Sequence, residues 1–411
     1  MIYNFKKINY LFLIFIFVFG NLIAFNRGSN FSDADAYSVI MAYINYFIEG
    51  FYTPSRGGYG HPIPELLIGF LSYNFGTPIS NIFCFSLFFS SLFFFYKAFF
   101  QSGKNVVLFI FLVLSNYYLF IENTNSIDYP IALFFFSIAI FFLKKKFFIL
   151  SYILFGLTIA SRANFLTFVY PILLIFFFDE IKEKKLKNLF NSFCLVTLVG
   201  IIFYIPLFDL HNYSLKFLDL PFLSNNDQRE GWYGGPKLTL DSLFPRFVYK
   251  IYLITGIYSS IFIFLFLFLK KQKIDFLKKD NLILTCVILI NLFVFFFMPT
   301  KILIINPYII FIYIFLFKYL DKKKIIFLIL LNFFQWFISY DVVKITYKEK
   351  KICFGKEATN YNFKFSIQRG KIFEYFTDDT NMTKCYSQFM GKYDENFEKG
   401  RPLKLSNNTT R

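Results

Sequence analysis

The feature that most constrains the fold of this chain is a series of long apolar blocks separated by short clusters of lysine. Blocks such as 11–19 and 261–269 are too long for an ordinary soluble core. Charged residues make up 17% of the chain, whereas soluble domains contain about 25%. Since about 20 mostly apolar residues cross the hydrocarbon of a bilayer, the pattern predicts an all-α, multi-span integral membrane protein.

Eleven segments have the length and apolar character of membrane spans. They lie near residues 8–25, 81–98, 105–121, 129–143, 147–161, 163–178, 189–207, 246–269, 281–298, 302–320 and 325–341. A shorter apolar stretch, 63–75, carries Glu65 close to its start. If this stretch lies in the membrane interface, every lysine cluster before the C-terminal tail falls on the cytoplasmic side, as the positive-inside rule requires. We therefore predict eleven spans in a bacterial inner membrane, with the N-terminus in the cytoplasm and the C-terminus outside.

This topology divides the chain into three regions. They are a membrane module at 1–180 with its first outer loop and juxtamembrane helices at 26–80, further spans at 181–343 with an outer loop at 208–245, and a small extracytoplasmic tail at 344–411. Cys353 and Cys385 share the tail, where an oxidising compartment favours a disulfide, with chance placement as the alternative. The lysine clusters account for the net charge of +17, so nucleic acid is not an expected partner.

Two carboxylates follow the first predicted span. Asp33 and Asp35 lie where that span emerges, just before a stretch, 36–48, whose larger apolar residues have helical spacing. One interpretation is that the aspartates cap this surface helix, since carboxylates favour helix N-termini. The other is that one of them acts as a catalytic base. The spacing alone leaves both interpretations open.

Other charged residues fall on the same outer side in this topology. Glu122 and Asp128 follow the third span, and Asp128 could either share a pocket with the earlier aspartates or cap the fourth span. Arg162 interrupts the apolar run between the fifth and sixth spans. It could pair with a carboxylate, hold a lipid-linked phosphate, or extend from a tight hairpin to the lipid headgroups.

Several short motifs in residues 8–180 together resemble the GT-C class of polyprenyl-phosphate-dependent glycosyltransferases, which includes protein O-mannosyltransferases and the lipid A aminoarabinose transferase. The motifs are Asp33 and Asp35 after the first span, Gly50, the run Tyr52-Thr53-Pro54-Ser55-Arg56, the run Gly60-His61-Pro62, the run Asp128-Tyr129-Pro130, and the run Gly156-Leu157-Thr158-Ile159-Ala160-Ser161-Arg162. The sequence departs from the commonest family pattern because Ala34 separates the two aspartates, which leaves open which one is the base.

The resemblance implies an inverting transfer of a sugar from a polyprenyl-phosphate donor to an extracytoplasmic acceptor. Asp33 or Asp35 would be the general base, and Asp128 would belong to the same catalytic pocket. The implied substrate-binding residues are Arg56, His61, Glu65, Glu122 and Arg162, with the cations stabilising the leaving phosphate. No cofactor is certain, and a divalent cation on Asp33, Asp35 or Asp128 stays an open alternative. The rival functions are a transporter of lipid-linked oligosaccharides, an O-antigen polymerase or ligase, and a purely structural membrane protein.

Overall fold

The computed structural model describes residues 2–29, 34–55, 60–100, 105–183, 186–206, 240–256, 259–263, 278–297, 306–349, 356–369 and 400–405. Most of the described chain is helical. The described helices are α1 (Ile2–Ser29), α2 (Ala34–Phe47), α3 (Pro62–Phe75), α4 (Thr77–Phe99), α5 (Val106–Leu114), α6 (Tyr117–Glu122), α7 (Asp128–Lys144), α8 (Phe148–Ser161), α9 (Leu166–Phe176), α10 (Phe178–Lys182), α11 (Lys187–Ile202), α12 (Leu240–Thr255), α13 (Lys279–Phe297), α14 (Asn306–Tyr319) and α15 (Lys322–Phe337). Two strands follow them, β1 (Ile338–Glu349) and β2 (Lys356–Arg369).

Among the described helices, two are long and apolar enough to cross a membrane. These are the Leu11–Gly28 part of α1 and the whole of α4, Thr77–Phe99. Shorter apolar helices include α8, α11 and Pro307–Tyr319 within α14. The described residues therefore define a mostly helical chain with two candidate spans, and the count of eleven spans stays a prediction.

The chain folds as two compact units. The described parts of 1–110, 121–218 and 378–411 form the first unit, and those of 111–120 and 219–377 form the second. The boundaries at 180 and 343 that the topology predicted stay a prediction. Residues 400–405 pack with the first unit, a contact that the order of residues along the chain does not reveal.

In the first unit, α7 and α8 form an antiparallel hairpin, so the start of α7 lies beside the end of α8. Asp128 begins α7 and Ser161 ends α8, so Asp128 and the next residue, Arg162, lie at one end. The connecting turn carries Lys145 and Lys146 at the other end, and Lys146 adopts a positive φ of 64°. A 17-residue helix such as α7 is about 25 Å long, since each residue adds about 1.5 Å.

Lysines from neighbouring helices gather at this second end, which we call the lysine end. The Nζ of Lys144 lies 3.9 Å from the centre of the Phe99 ring, which places the last turn of α4 beside the last turn of α7. The Nζ of Lys97 lies 5.3 Å from the Phe93 ring in the same part of α4. Cation–π contacts of this kind let the aliphatic stems cover apolar surface while the ammonium groups remain in water.

The C-terminal residues 400–405 pack against the helices of the first outer loop. Leu403 is 3% exposed and belongs to a buried cluster with Ile40 of α2 and Ile68 of α3. Gly76, which joins α3 to α4, has a φ of +90°, and a Cβ there would lie 2.3 Å from the carbonyl oxygen of Gly400. Only glycine accommodates both this backbone conformation and this close approach. Residues 400–405 therefore contact the end of the first unit opposite the lysines.

The second unit contains a buried polar cluster at a break in the third predicted span. Segment 105–121 is not one helix, because α5 ends at Leu114 and α6 begins at Tyr117. At the break, the Nδ2 of Asn332 donates to the Oγ of Ser115 at 2.9 Å, and the Nδ2 of Asn116 donates to the hydroxyl of Tyr313 at 3.0 Å. Partners on α14 and α15 thus satisfy polar groups at the interruption, as apolar surroundings require.

The antiparallel pair β1–β2 departs from the all-α prediction. Ile338 pairs with Arg369 and Glu349 pairs with Lys356, with register shifts after Asp341 and Thr346. The helix predicted over 325–341 therefore ends at Phe337, and a strand that begins at Ile338 continues into the predicted tail at 344–411. The physical reason is local composition, since β-branched and aromatic residues dominate 338–347 and favour an extended chain.

Candidate functional site

The segment that carries Asp128 is held in place by polar contacts with α1 and α4. Arg27, near the end of α1, donates from Nη1 to the carbonyl oxygen of Ile121 and to the Oγ1 of Thr124, the latter at 2.7 Å. The Oγ of Ser126 donates to the Oδ1 of Asn81 on α4 at 2.5 Å. These long-range contacts fix the entry to α7, and therefore the position of its first residue.

Asp128 and Arg162 form a buried ion pair at this end of the first unit. The Nη1 of Arg162 donates to the Oδ2 of Asp128, and the two side chains are 3% and 0% exposed. The guanidinium also lies 3.9 Å from the centre of the Tyr129 ring, a cation–π distance. Of the three arrangements considered for Arg162, the structure has the pairing with a carboxylate. Asp128 lies in the first turn of α7, whereas Ile127 holds the N-cap position.

His61 joins this pair from a different segment. Its Nε2 lies 3.3 Å from the Nη1 of Arg162 and 3.5 Å from the Oδ2 of Asp128, and the residue is 7% exposed. His61 is the residue before α3, where Pro62 and Pro64 start the helix. A carboxylate, a guanidinium and an imidazole thus lie together with little exposure to solvent, where electrostatic interactions are strong.

Glu65 lies one turn after His61, with both of its carboxylate oxygens hydrogen bonded. Its Oε1 accepts from the backbone N–H groups of Ser55 and His61, each at 2.9 Å. Its Oε2 accepts from the hydroxyl of Tyr52 at 2.8 Å. Burial raises the pKa of the Glu65 carboxyl, although these hydrogen bonds act in the opposite direction. Burial, and next the neighbouring Glu65, also raise the pKa of the Tyr52 phenol.

A cavity of about 230 Å³ adjoins Glu65. Its walls come from α2, from the loop before α3, from α3 and from the end of α11. The lining residues are mostly aromatic or aliphatic, and they include Tyr43, Tyr46, Phe47, Tyr52, Leu66 and Phe203. A cavity of this composition beside a few buried polar groups has the character of a small-molecule or lipid-binding site.

Of the three carboxylates considered for a divalent cation, Asp128 is the one whose side chain the structure describes. The described residues contain no group of three or more His, Cys, Asp and Glu side chains that could hold a metal ion. In addition, the guanidinium of Arg162 contacts the Oδ2 of Asp128 and would repel a second cation there. Asp33 lies outside the described residues.

The structure brings some of the predicted site residues together and leaves others undescribed. His61, Asp128 and Arg162 are in mutual contact, and Glu65 holds the backbone of His61. Asp33 and Arg56 lie outside the described residues. Asp35 lies in the first turn of α2, and its side chain is outside the described part of the chain. Glu122 is the last residue of α6 and is partly buried.

Three further residues contribute to this end without having been assigned a role from sequence. Tyr129 stacks on the guanidinium, and Arg27 holds the segment before α7. A single arginine at the end of a predicted span, such as Arg27, is a sequence signal that could have identified this contact. Tyr204 donates to the carbonyl oxygen of Ile159 at 3.0 Å and interacts electrostatically with the charged cluster. Tyr204 lies within an apolar run that carries no such signal.

No protein-family model, curated protein or solved structure matches this chain.

Proposed function

We propose that this protein is an inverting glycosyltransferase that transfers a sugar from a polyprenyl-phosphate donor to an acceptor outside the cytoplasm. The observation that carries the proposal is the convergence of His61, Asp128 and Arg162, with Glu65 beside them, at one end of a helical unit. These residues come from separate segments that resemble GT-C motifs. A largely apolar cavity lies next to Glu65, and it suits a lipid-linked substrate better than a soluble one.

The proposed topology has eleven spans, with the charged cluster and the C-terminus on the extracytoplasmic side. Two features of the first unit support it. The lysine end, with Lys97 and Lys144, is separated from Asp128 by the length of α7, which is comparable to the thickness of the hydrocarbon layer. Leu403, near the C-terminus, packs on α2 and α3 at the end opposite the lysines, as an odd number of spans requires.

In the proposed reaction, an acceptor hydroxyl attacks the anomeric carbon while the bond from that carbon to the lipid phosphate oxygen breaks. Asp33 or Asp35 takes the hydroxyl proton, and the lipid phosphate leaves with the bonding electron pair. Arg162 and His61 stabilise the charge on the departing phosphate. Within the described residues, the Nε of Arg162 is buried without a hydrogen-bond partner, which leaves one donor of the guanidinium for a phosphate oxygen. Attack on the face opposite the phosphate inverts the configuration.

The direct test is an assay of the purified full-length protein in nanodiscs with polyprenyl-phosphate sugars, reading release of the lipid phosphate. We expect Asp33→Asn or Asp35→Asn to lower turnover by about 10²–10⁴-fold, the contribution of a general base. Asp179→Asn is the matched control, because Asp179 is an exposed carboxylate on α10. Transfer that persists at the wild-type rate in both Asp33→Asn and Asp35→Asn would remove the proposed chemistry.

The same preparation distinguishes the rival functions. A transporter usually carries its ionisable residues in the middle of its spans, whereas Asp128 and Arg162 lie at helix ends. Movement of a lipid-linked sugar across liposomes without chemical transfer would support a transporter instead. Labelling of a cysteine placed beside Lys146 by a membrane-impermeant reagent from outside the cell would contradict the topology.

A further inference from the structure

The buried Glu65 carboxylate closes the loop that precedes α3. One of its oxygens, Oε1, accepts from the backbone N–H groups of both Ser55 and His61. The backbone of Gly60 also donates to the carbonyl oxygen of Ser55 at 3.1 Å, so the two ends of the loop are joined directly as well. The segment between these ends, 56–59, carries Arg56. A single side chain therefore holds both ends of the loop.

Groups of the protein already occupy most of the hydrogen-bond acceptor positions of the Glu65 carboxylate. A carboxylate oxygen has two lone pairs, and Oε1 already accepts two hydrogen bonds. Oε2 accepts from the Tyr52 hydroxyl, and the whole residue is only 4% exposed. Little of the carboxylate is left for a substrate, whereas His61, one turn away, reaches Arg162 directly.

We infer that Glu65 is a positioning residue that ties Ser55 to His61 and fixes His61 against Asp128 and Arg162, rather than a residue that binds substrate. It acts through backbone N–H groups, so its oxygen atoms matter more than its negative charge. The effect on turnover rests on the proposed glycosyl transfer, whereas the effect on these two backbone groups does not.

Two substitutions separate positioning from substrate contact. Glu65→Gln keeps an oxygen that accepts from Ser55 and His61, and its amide can donate to the hydroxyl of Tyr52. Glu65→Ala removes all three hydrogen bonds. Asn74→Ala is the matched control, since Asn74 is on the same helix and its side chain donates only to the carbonyl oxygen of Phe70 at an exposed position.

The first measurement is independent of any reaction. Hydrogen exchange of the nanodisc-embedded protein, read by mass spectrometry with fragmentation, gives the exchange rates of the backbone N–H groups of Ser55 and His61. We expect Glu65→Ala to accelerate exchange at both groups by about tenfold or more, because they lose the acceptor that protects them. Glu65→Gln and Asn74→Ala should stay close to wild type. Equal rates in Glu65→Ala and wild type would overturn the inference.

The second measurement is turnover with polyprenyl-phosphate sugars. Glu65→Ala should lower kcat by about 10²-fold, the cost of a misplaced group near the reacting atoms. Glu65→Gln should stay within about threefold of wild type in both kcat and KM, because its oxygen still accepts from Ser55 and His61. If Glu65→Gln loses as much activity as Glu65→Ala while its exchange rates are unchanged, Glu65 contacts the substrate and the inference is wrong. If wild type transfers no sugar, the proposed function fails and the exchange rates alone decide the role of Glu65.

Discussion

Removing one charge from the Asp128–Arg162 pair should destabilise the first unit far more than removing a charge at the surface. The two side chains are 0% and 3% exposed, so neither can be rehydrated without local opening. Asp128→Asn leaves the guanidinium buried without its counter-charge, and Arg162→Met leaves the carboxylate in the same position. Breaking a buried pair from one side costs about 3–5 kcal/mol, since the remaining charge is uncompensated.

Two features of the structure refine this magnitude. The Tyr129 ring lies 3.9 Å from the guanidinium. In Asp128→Asn this ring would still stabilise the charge of Arg162 by about 0.5–2 kcal/mol. The carboxylate in turn keeps the imidazole of His61, whose Nε2 lies 3.5 Å away and can donate a hydrogen bond to it in Arg162→Met. The double variant leaves neither charge unpaired, and its cost should fall well below the sum of the two single costs.

The assay is equilibrium unfolding of the purified protein in mixed micelles, with the free energy of unfolding compared across the double-mutant cycle. Asp321→Asn is a matched control, because Asp321 pairs with Lys324 at 2.8 Å where the side chains are 55% and 37% exposed. Asparagine keeps the cap that Asp321 provides to α15, so this change should cost no more than about 1 kcal/mol. A cost for Asp128→Asn as small as that of Asp321→Asn would refute the reasoning from burial.

Three further predictions address other parts of the chain. Gly76→Ala should destabilise the protein by about 1–3 kcal/mol through its positive φ and should also loosen the C-terminal residues, as measured by thermal unfolding and by protease release of the C-terminus. Gly50→Ala, at φ +78° with no atom within 4 Å of the added Cβ, is the control for backbone strain without the clash. Asn332→Ala should cost about 1–3 kcal/mol in the free energy of unfolding, because buried partners lose their hydrogen bonds. Cys353 and Cys385 lie outside the described residues, and their disulfide stays a prediction that a mass difference of two hydrogens on reduction would confirm.

The sequence alone determined the character of the local elements. Apolar composition indicated helices throughout the first half of the chain, and the stretch predicted at 63–75 agrees with α3 because the flanking prolines and Gly76 start and stop it. The lysine clusters marked the turn between α7 and α8. These features depend on residues close together in the chain, which is why periodicity and helix-breaking residues are sufficient to predict them.

From the sequence, the candidate site could be predicted only as a set of charged residues on the outer side of the membrane. His61, Asp128 and Arg162 lie far apart in the sequence. For Asp128 the sequence offered a shared pocket or a helix cap, and for Arg162 it offered pairing, phosphate binding or headgroup contact. Packing decided among them, because α7 and α8 place Asp128 and Arg162 at the same end and burial makes an unpaired charge costly. The role of Glu65 likewise depended on backbone N–H groups whose direction the sequence does not specify.

Only the tertiary structure determines the break in the third predicted span and the contact of residues 400–405 with α2 and α3. Segment 105–121 is apolar enough for a continuous helix, yet the chain breaks at Ser115 and Asn116, where side chains from α14 and α15 supply hydrogen bonds. Leu403 packs on α2 and α3 although hundreds of residues separate them in the chain. Local composition fixes the conformation that a segment prefers, whereas such contacts depend on which distant partners can satisfy polar groups and bury apolar surface.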